Sequence, residues 1–467
     1  MNIFGDYLNL CRDCMINMGY DMYLIKGLFT LKPLLLASVL FPCVVNATTL
    51  LEAIRNAGAV NPELQAAMYR QLAGNEKSSQ GLAGLLPTIQ LSGGYNQQDQ
   101  PKATYAAKVT RHNYAISLNQ PLFDLSKYAD YLRGKAIANS ADIELLRAQE
   151  TLAYDVADAY AAVLYQNEVY QAARAATQVY ENELQQTTLA VSLGNATRVD
   201  ADEAQANRDL FRAKEIEAHN NLSAVATKYR RLTGLEHNSI APISAACLLQ
   251  GVPSANEKEP DLYQRALAHN SQIRSARAQW EIAKTGVYQA HSAHMPTVNF
   301  QASYGSNWSR AEDSNQLDEM FGSTSKTTNT NLGVSVSVPI FSGGQQMSQS
   351  REAIYTREQA RYSLIDAQQK VKEELHNALL NVTNSRSLVT STQQMIRSEQ
   401  IKIRSTATGK KLGLRTKMDE LNAYQSYYEA VKNNAEARYK LLMAKVAQAQ
   451  STGDLGHNAI AQISCSQ

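Results

Sequence analysis

Few residues of this 467-residue chain are spaced for covalent chemistry. It contains no GxxxxGK(S/T), no GxSxG and no HExxH. Phosphate cradles, acyl-transfer serines and helix-borne catalytic zinc therefore have no basis in the sequence. His291 and His294 stand near one helical turn apart, but no cysteine or acidic cluster completes a metal site, so they read as a solvated helix end. Cys11 and Cys14 form a CxxC, and with Cys43 they fall in an N-terminal segment that reads as a removable leader. Cys247 and Cys465 could pair in an oxidising compartment, though nothing in the sequence fixes their separation. The run Tyr424, Tyr427, Tyr428 reads as coil packing rather than a cofactor box. The expectation is a chain without catalytic, cofactor or metal residues.

The chemistry the sequence does offer is ionic, and it sits at two turns. In Leu412-Gly413-Leu414-Arg415-Thr416-Lys417-Met418-Asp419 a glycine stops one helix and Thr416 caps the next. Asp419 and Glu420 occupy the new helix's first turn, where the macrodipole favours anions. Leu193-Gly194-Asn195-Ala196-Thr197-Arg198-Val199-Asp200 matches this stretch position by position. Gly194 and Gly413 lie 219 residues apart, as do Asp200 and Asp419. The match extends: Gln120-Pro121-Leu122-Phe123-Asp124 answers Val338-Pro339-Ile340-Phe341-Ser342, and Leu86-Pro87-Thr88-Ile89 answers Met295-Pro296-Thr297-Val298. The chain reads as two tandem copies of one long unit, too few for a solenoid.

Residues 1–47 read as a signal peptide. Leu28 to Val45 is apolar, Lys26 lies on its N-terminal side, and Val45-Asn46-Ala47 is small where a peptidase reads. Met22 is an alternative start. The competing reading is a membrane anchor, for which Lys32, Pro33 and Pro42 leave the run short. The first repeat, 48–234, holds a helical pattern to Leu86, two alternating strands around Ile89–Tyr95 and Tyr114–Leu118, a long helix from Asp124 to Leu193, the turn, and a helix to Thr233. The link Gln97–His112 reads as a polar loop. At 1.5 Å per residue the long helix would reach roughly 105 Å. Residues 235–260, broken by Pro242, Gly251, Pro253 and Pro260, read as a connector. The second repeat, 261–450, runs helix 261–294, strand 297–304, loop 305–330, strand 331–340, helix 343–408, turn, helix 416–450. Residues 451–467 read as a loose polar tail.

Steps of three and four mark coiled-coil seams: Leu152, Val156, Ala159, Val163, Tyr170, Ala173, Thr177, Tyr180 and Leu184 in one long helix. A second seam runs through Met418, Leu421, Tyr424, Tyr428, Val431, Ala435, Tyr439, Leu442 and Val446. The net charge of +2 gives no argument for nucleic acid.

The strands pose a physical problem. Val298, Phe300, Ala302 and Tyr304, like Leu332, Val334, Val336 and Val338, alternate with small polar residues. Four strands with an apolar face and two bare edges are unstable alone. If that face meets lipid, every backbone group must pair, which demands a closed barrel. Four strands do not close a useful barrel, so several chains must contribute. The expected fold is mainly α-helical, with an oligomeric outer-membrane β-barrel extended by helices. The alternative is a soluble or surface-attached helical coiled-coil interaction protein with a small packed β-element.

The motif order resembles the TolC-type outer-membrane channel family. The resemblance rests on Asn119 to Lys127, Val338 to Gln345, the two turns and Ala437-Arg438-Tyr439, and covers Thr48 to Gly453. It implies a homotrimer with a twelve-stranded barrel and a coiled-coil tunnel in the periplasm. It also implies a periplasmic adaptor and an inner-membrane ABC or proton-driven pump as partners, with type I protein secretion or multidrug efflux as function. The turns, through Leu193, Gly194, Thr197, Leu412, Gly413 and Thr416, would dock the adaptor. Asp200 and Arg415 take the positions of a tip link that closes the gate. Asp419 takes that of a pore-lining acid, while Asn422 stands where members often carry a second acid. That leaves one carboxylate ring and a weaker block by multivalent cations. Lys410 replaces a gate tyrosine, which puts that second latch in doubt.

Overall fold

The computed structural model describes residues 48–99, 108–250, 258–311, 320 and 325–464. The expected leader, part of the connector and Cys465 lie outside these.

Two helices set the scale. Helices α1 (Leu50–Val60) and α2 (Pro62–Ala83) lead into strands β1 (Thr88–Asp99) and β2 (Lys108–Phe123). Helix α3 (Leu125–Ser192) then runs for 68 residues, about 100 Å. Helix α4 (Arg198–Thr233) returns along it. After the short helix α5 (Ala245–Leu249) come α6 (Glu259–His269), α7 (Ser271–Ser292), β3 (Thr297–Ala311) and β4 (Ser325–Ser337). Helix α8 (Gln345–Lys411) matches α3 in length, α9 (Lys417–Thr452) returns along it, and α10 (His457–Ser464) ends the described chain. Each long helix starts at the sheet and ends at a turn, so sheet and turns lie at opposite ends of α3 and α8. Next to the sheet the packing order is α2–α3–α7–α8; beyond it, the order is α4–α3–α9–α8.

The coil seams are filled largely as read. Leu152, Val156, Ala159, Val163, Ala173, Thr177 and Tyr180 are buried in α3, and Leu421, Tyr428, Ala435, Leu442 and Val446 in α9. Met418 instead stays exposed near the turn. The largest core gathers α1, α3, α4, α5, α9 and α10. A second core lies nearer the turns, where Tyr180 stacks on Phe211 at 4.2 Å and Phe211 meets Tyr428 edge-on.

Four details differ from the expectation. The helical pattern before Pro87 is two helices, because Asn61 caps α2 and Pro62 supplies its first residue. Asn270 likewise splits 261–294 by capping α7. The strands run through the polar segments read as loops, to Asp99, from Lys108, to Ala311 and from Ser325. Ladder hydrogen bonds persist where apolar alternation stops, and sequence periodicity registers only the latter. The tail is not loose: Leu455, Ile460 and Ile463 are buried in the main core.

The sheet is fully antiparallel in the order β1-β2-β3-β4, with a register shift at Pro121/Phe123. β1 and β4 are its edges. One face carries Ile89, Leu91, Tyr95, Tyr114, Ile116, Phe300, Tyr304, Leu332, Val334 and Val336; Ile89 and Leu91 are each 72% exposed and Leu332 73%. The other face is Gln90, Ser92, Asn113, Ser117, Asn299, Gln301, Asn331 and Ser335. No described element packs over the apolar face. No described helix is long and apolar enough to cross a membrane.

Candidate functional site

The two turns are built alike. Helix α3 ends in a Schellman motif: Asn195 N donates to Ala190 O at 2.8 Å, with Gly194 at φ +76°. Helix α8 ends in the same way, with Leu414 N donating to Gly409 O at 2.8 Å and Gly413 at φ +72°. A Cβ at either position would strain the backbone. Thr197 and Thr416 then cap the returning helices, and both form capping boxes. Asp200 Oδ2 accepts from the Thr197 backbone N–H and hydroxyl, both at 2.8 Å. Asp419 Oδ2 accepts from the same groups of Thr416, both at 2.9 Å. These bonds hold both carboxyls below the usual carboxylate range. Both acids therefore have a local structural task that the sequence reading did not assign.

Within one chain, Asp200 and Arg415 are not paired. Asp200 is taken up by Thr197, while Arg415 lies against Gly409 and helps hold the Asp419 carboxyl low. Leu193, Leu412, Leu414 and Val199 are all more than two-thirds exposed, so the turns present an apolar tip. Asn422 is exposed on the first turns of α9.

Near the turns the two hairpins are linked elsewhere. Lys417 Nζ lies 2.7 Å from Glu183 Oε2 on α3 and donates to Gln186 Oε1 at 3.3 Å. Thr187 orients Glu183 from the other side, donating to Oε1 at 3.0 Å. Lys410, in the gate-tyrosine position, meets Glu420 Oε2 at 2.5 Å. Sequence reasoning missed Lys417–Glu183: Lys417 lies in the repeated turn, but Glu183 is far from it in the chain and belongs to no motif.

The Ala437-Arg438-Tyr439 motif acts at mid-coil. Arg438 bonds Glu168 at 2.7 Å and Ile243 O at 2.5 Å, strapping the connector to the coil. Tyr439 OH donates to Asp158 at 2.6 Å, and Lys228 meets the same carboxylate at 2.7 Å. Burial alone would raise Asp158, but these bonds outweigh it and hold it low. Cys247 is disulfide-bonded; Cys465, which the sequence offered as a partner, is outside the described residues. His294 Nε2 lies 3.5 Å from Ser350 Oγ, and among the described residues no group of His, Cys, Asp or Glu is gathered for a metal. Tyr428 is core, and Tyr427 OH accepts from Gln400.

A sheet bare on its apolar face, carried by helices of about 100 Å that end in paired turns, has a counterpart among known sequences. The outer membrane efflux protein family matches residues 53–235 and 262–454. The chain belongs to this family. The chain is 28% identical over 397 residues to the alkaline protease secretion protein AprF of Pseudomonas aeruginosa, covering 82% of this chain and 80% of that one. It is 26% identical over 422 residues to the outer membrane protein TolC of Escherichia coli, covering 89% and 84%. The crystal structure of VceC from Vibrio cholerae shares the fold, with a TM-score of 0.68 at 17% identity over 86% of this chain and 96% of that one. Membership places this outer membrane efflux protein in the outer membrane, with a helical periplasmic portion, in a family of channels rather than enzymes.

Proposed function

We propose that three copies of this outer membrane efflux protein close a twelve-stranded barrel and continue it as a helical tunnel through the periplasm. In this reading each chain gives two tandem repeats, 48–234 and 261–450, joined by the connector 235–260 and preceded by a leader. The observation that carries the proposal is the uncovered apolar sheet face between two unpaired edges. Such a face is tolerated only against lipid, and such edges only if sister strands pair them. The dimensions agree. From Val336 to Lys326, ten residues of β4 at about 3.4 Å each and tilted by about 40° span about 26 Å, against an apolar band of about 25 Å. The opposite face, rich in Asn, Ser and Gln, suits a watery lumen.

The tunnel would serve type I protein secretion, multidrug efflux or both, docking an adaptor and an inner-membrane pump at the exposed tips of Leu193, Gly194, Leu412 and Gly413. The name of the alkaline protease secretion protein AprF and the efflux description of the family support this class. Lys417–Glu183 tethers the two hairpins within a chain, Lys410–Glu420 braces the second hairpin across its own turn, and Arg415 reaches Asp200 of a neighbouring subunit through the carboxylate oxygen that Thr197 leaves free. Asp419 contributes one carboxylate ring at the constriction, with Asn422 uncharged beside it. The energy comes from the pump. Fractionation tests the proposal. The protein is expected in the outer membrane as an oligomer whose gel mobility changes on heating. Recovery from the detergent-free soluble fraction as a single mobility form refutes it.

A further inference from the structure

The ionic residues of the four strands are gathered at one end. Asp99, Lys108, Arg111, Arg310 and Lys326 all lie at the rim remote from the helices, and the rest of each strand is uncharged. Strand alternation sorts them by face. Arg111 belongs to the polar face, where its Nη1 donates to Gln98 Oε1 at 2.8 Å. Arg310 and Lys326 belong to the apolar face, continuing the columns of Tyr304–Trp308 and Leu332–Val334. Lys108 shares that face but stands opposite Asp99 in register. Arg310 stands opposite Thr110, and Lys326 opposite Trp308, so no strand acid faces either. Both are exposed. Their strands are neighbours and their positions diagonal, a spacing of about 7–8 Å that long side chains close easily.

Just below them runs an aromatic row. His112 sits between Tyr95 and Trp308, each ring centroid 4.9 Å away. Tyr and Trp in such a row mark the boundary between hydrocarbon and headgroups. The opposite end of the same face, at Phe300 and Val336, carries no cation among the strand residues. The asymmetry singles out one leaflet.

We propose that Arg310 and Lys326, flanking Trp308, form a binding site for the phosphate groups of lipid A, the phosphorylated saccharolipid of the outer leaflet. This rests on the lipid-facing barrel reading: with the helices in the periplasm, the charged rim meets the outer leaflet. A planar guanidinium and an ammonium at headgroup depth suit a phosphate monoester, and Trp308 and Tyr95 would seat against the sugar–acyl boundary. The segment after β3 contains Glu312, Asp313, Asp318 and Glu319, which lie outside the described residues. If those acids neutralised the pair, phosphate selectivity would be lost, and the experiment below reads that directly.

The full-length channel is purified in detergent from an outer membrane rich in lipid A, and bound lipid is counted by mass spectrometry. The Arg310→Gln/Lys326→Gln double variant is expected to retain at least about tenfold less lipid A than the native protein while keeping the same heat-modifiable mobility. Lys326→Gln alone serves if the double variant loses that mobility. A second arm follows Trp308 emission in a Trp280→Phe background, in phosphatidylcholine vesicles doped with lipid A, dephosphorylated lipid A or phosphatidylglycerol. A blue shift for lipid A alone, abolished in the variant, supports the site. Equal retention by both proteins, or equal response to dephosphorylated lipid A or to phosphatidylglycerol, overturns it. Failure of even the native protein to enter vesicles would overturn the barrel reading itself, a distinct result.

Discussion

Removing the tether between the hairpins should open the tip. The Lys417–Glu183 pair spans 2.7 Å, with the glutamate side chain 10% exposed and the lysine 35% exposed. It is thus better shielded than a surface pair, for which about 0.2–1 kcal/mol is usual, and about 1 kcal/mol per link is a fair figure. Opening a threefold tip breaks three links together, so Lys417→Met should shift the balance by about 3 kcal/mol. That is a change of about a hundredfold in the open-to-closed ratio. Planar-bilayer recording reads this as a larger conductance or longer open dwells, and intact cells as greater entry of a bulky antibiotic. Glu183→Gln should do the same, and the exchange Lys417→Glu/Glu183→Lys should restore the closed state. Unchanged conductance and leak in both single variants, with the oligomer intact, would refute the reasoning.

Three further outcomes follow from the structure. Arg415→Ser should raise conductance, but less than Lys417→Met, because half of the Asp200 carboxylate already serves Thr197; the same bilayer recordings check this. Lys445 is buried at 4% exposure, bonds only a carbonyl, Gln250 O, and is pushed down from the ordinary 10.5 to about 8 by burial, with Arg386 adding to it. The unfolded chain therefore binds more protons between about pH 8 and 10.5, so stability climbs with pH across that window and the penalty is complete below it. Lys445→Met should stabilise the helical portion by about 1–2 kcal/mol at pH 7, from a penalty of at most about 3 kcal/mol less the orphaned carbonyl, and the gain should fade towards pH 10.5 in chemical denaturation. Leu332→Arg, near mid-band on the apolar face, should cost about 2–4 kcal/mol and deplete the heat-modifiable oligomer, whereas Asn331→Arg on the polar face should leave it intact.

The long helices and the turns were legible because their signals are local. Gly194 and Gly413 take the positive φ that the pattern implied, and Thr197 and Thr416 cap as such residues do. The strands were legible only where one face is apolar. Gln97, Gln98 and Asn329 continue the ladder, but their side chains carry no alternation to read. Asn61 and Asn270 break helices through single caps inside otherwise helical composition. Residues 455–464 looked polar because their apolar residues are few, yet Ile460 and Ile463 find a core supplied by distant helices. The tip showed the same limit. Asp200 and Asp419 were identifiable as acids at a turn, but their capping bonds compete with any gate link, and the tether of Lys417 to Glu183 exists only because folding lays α9 against α3.

The mass of the detergent-purified particle by native mass spectrometry bears most directly on whether this chain completes its sheet with sister strands. Three chains released together as one particle is the expected result. A single chain, stable and monodisperse in buffer without detergent, would contradict it.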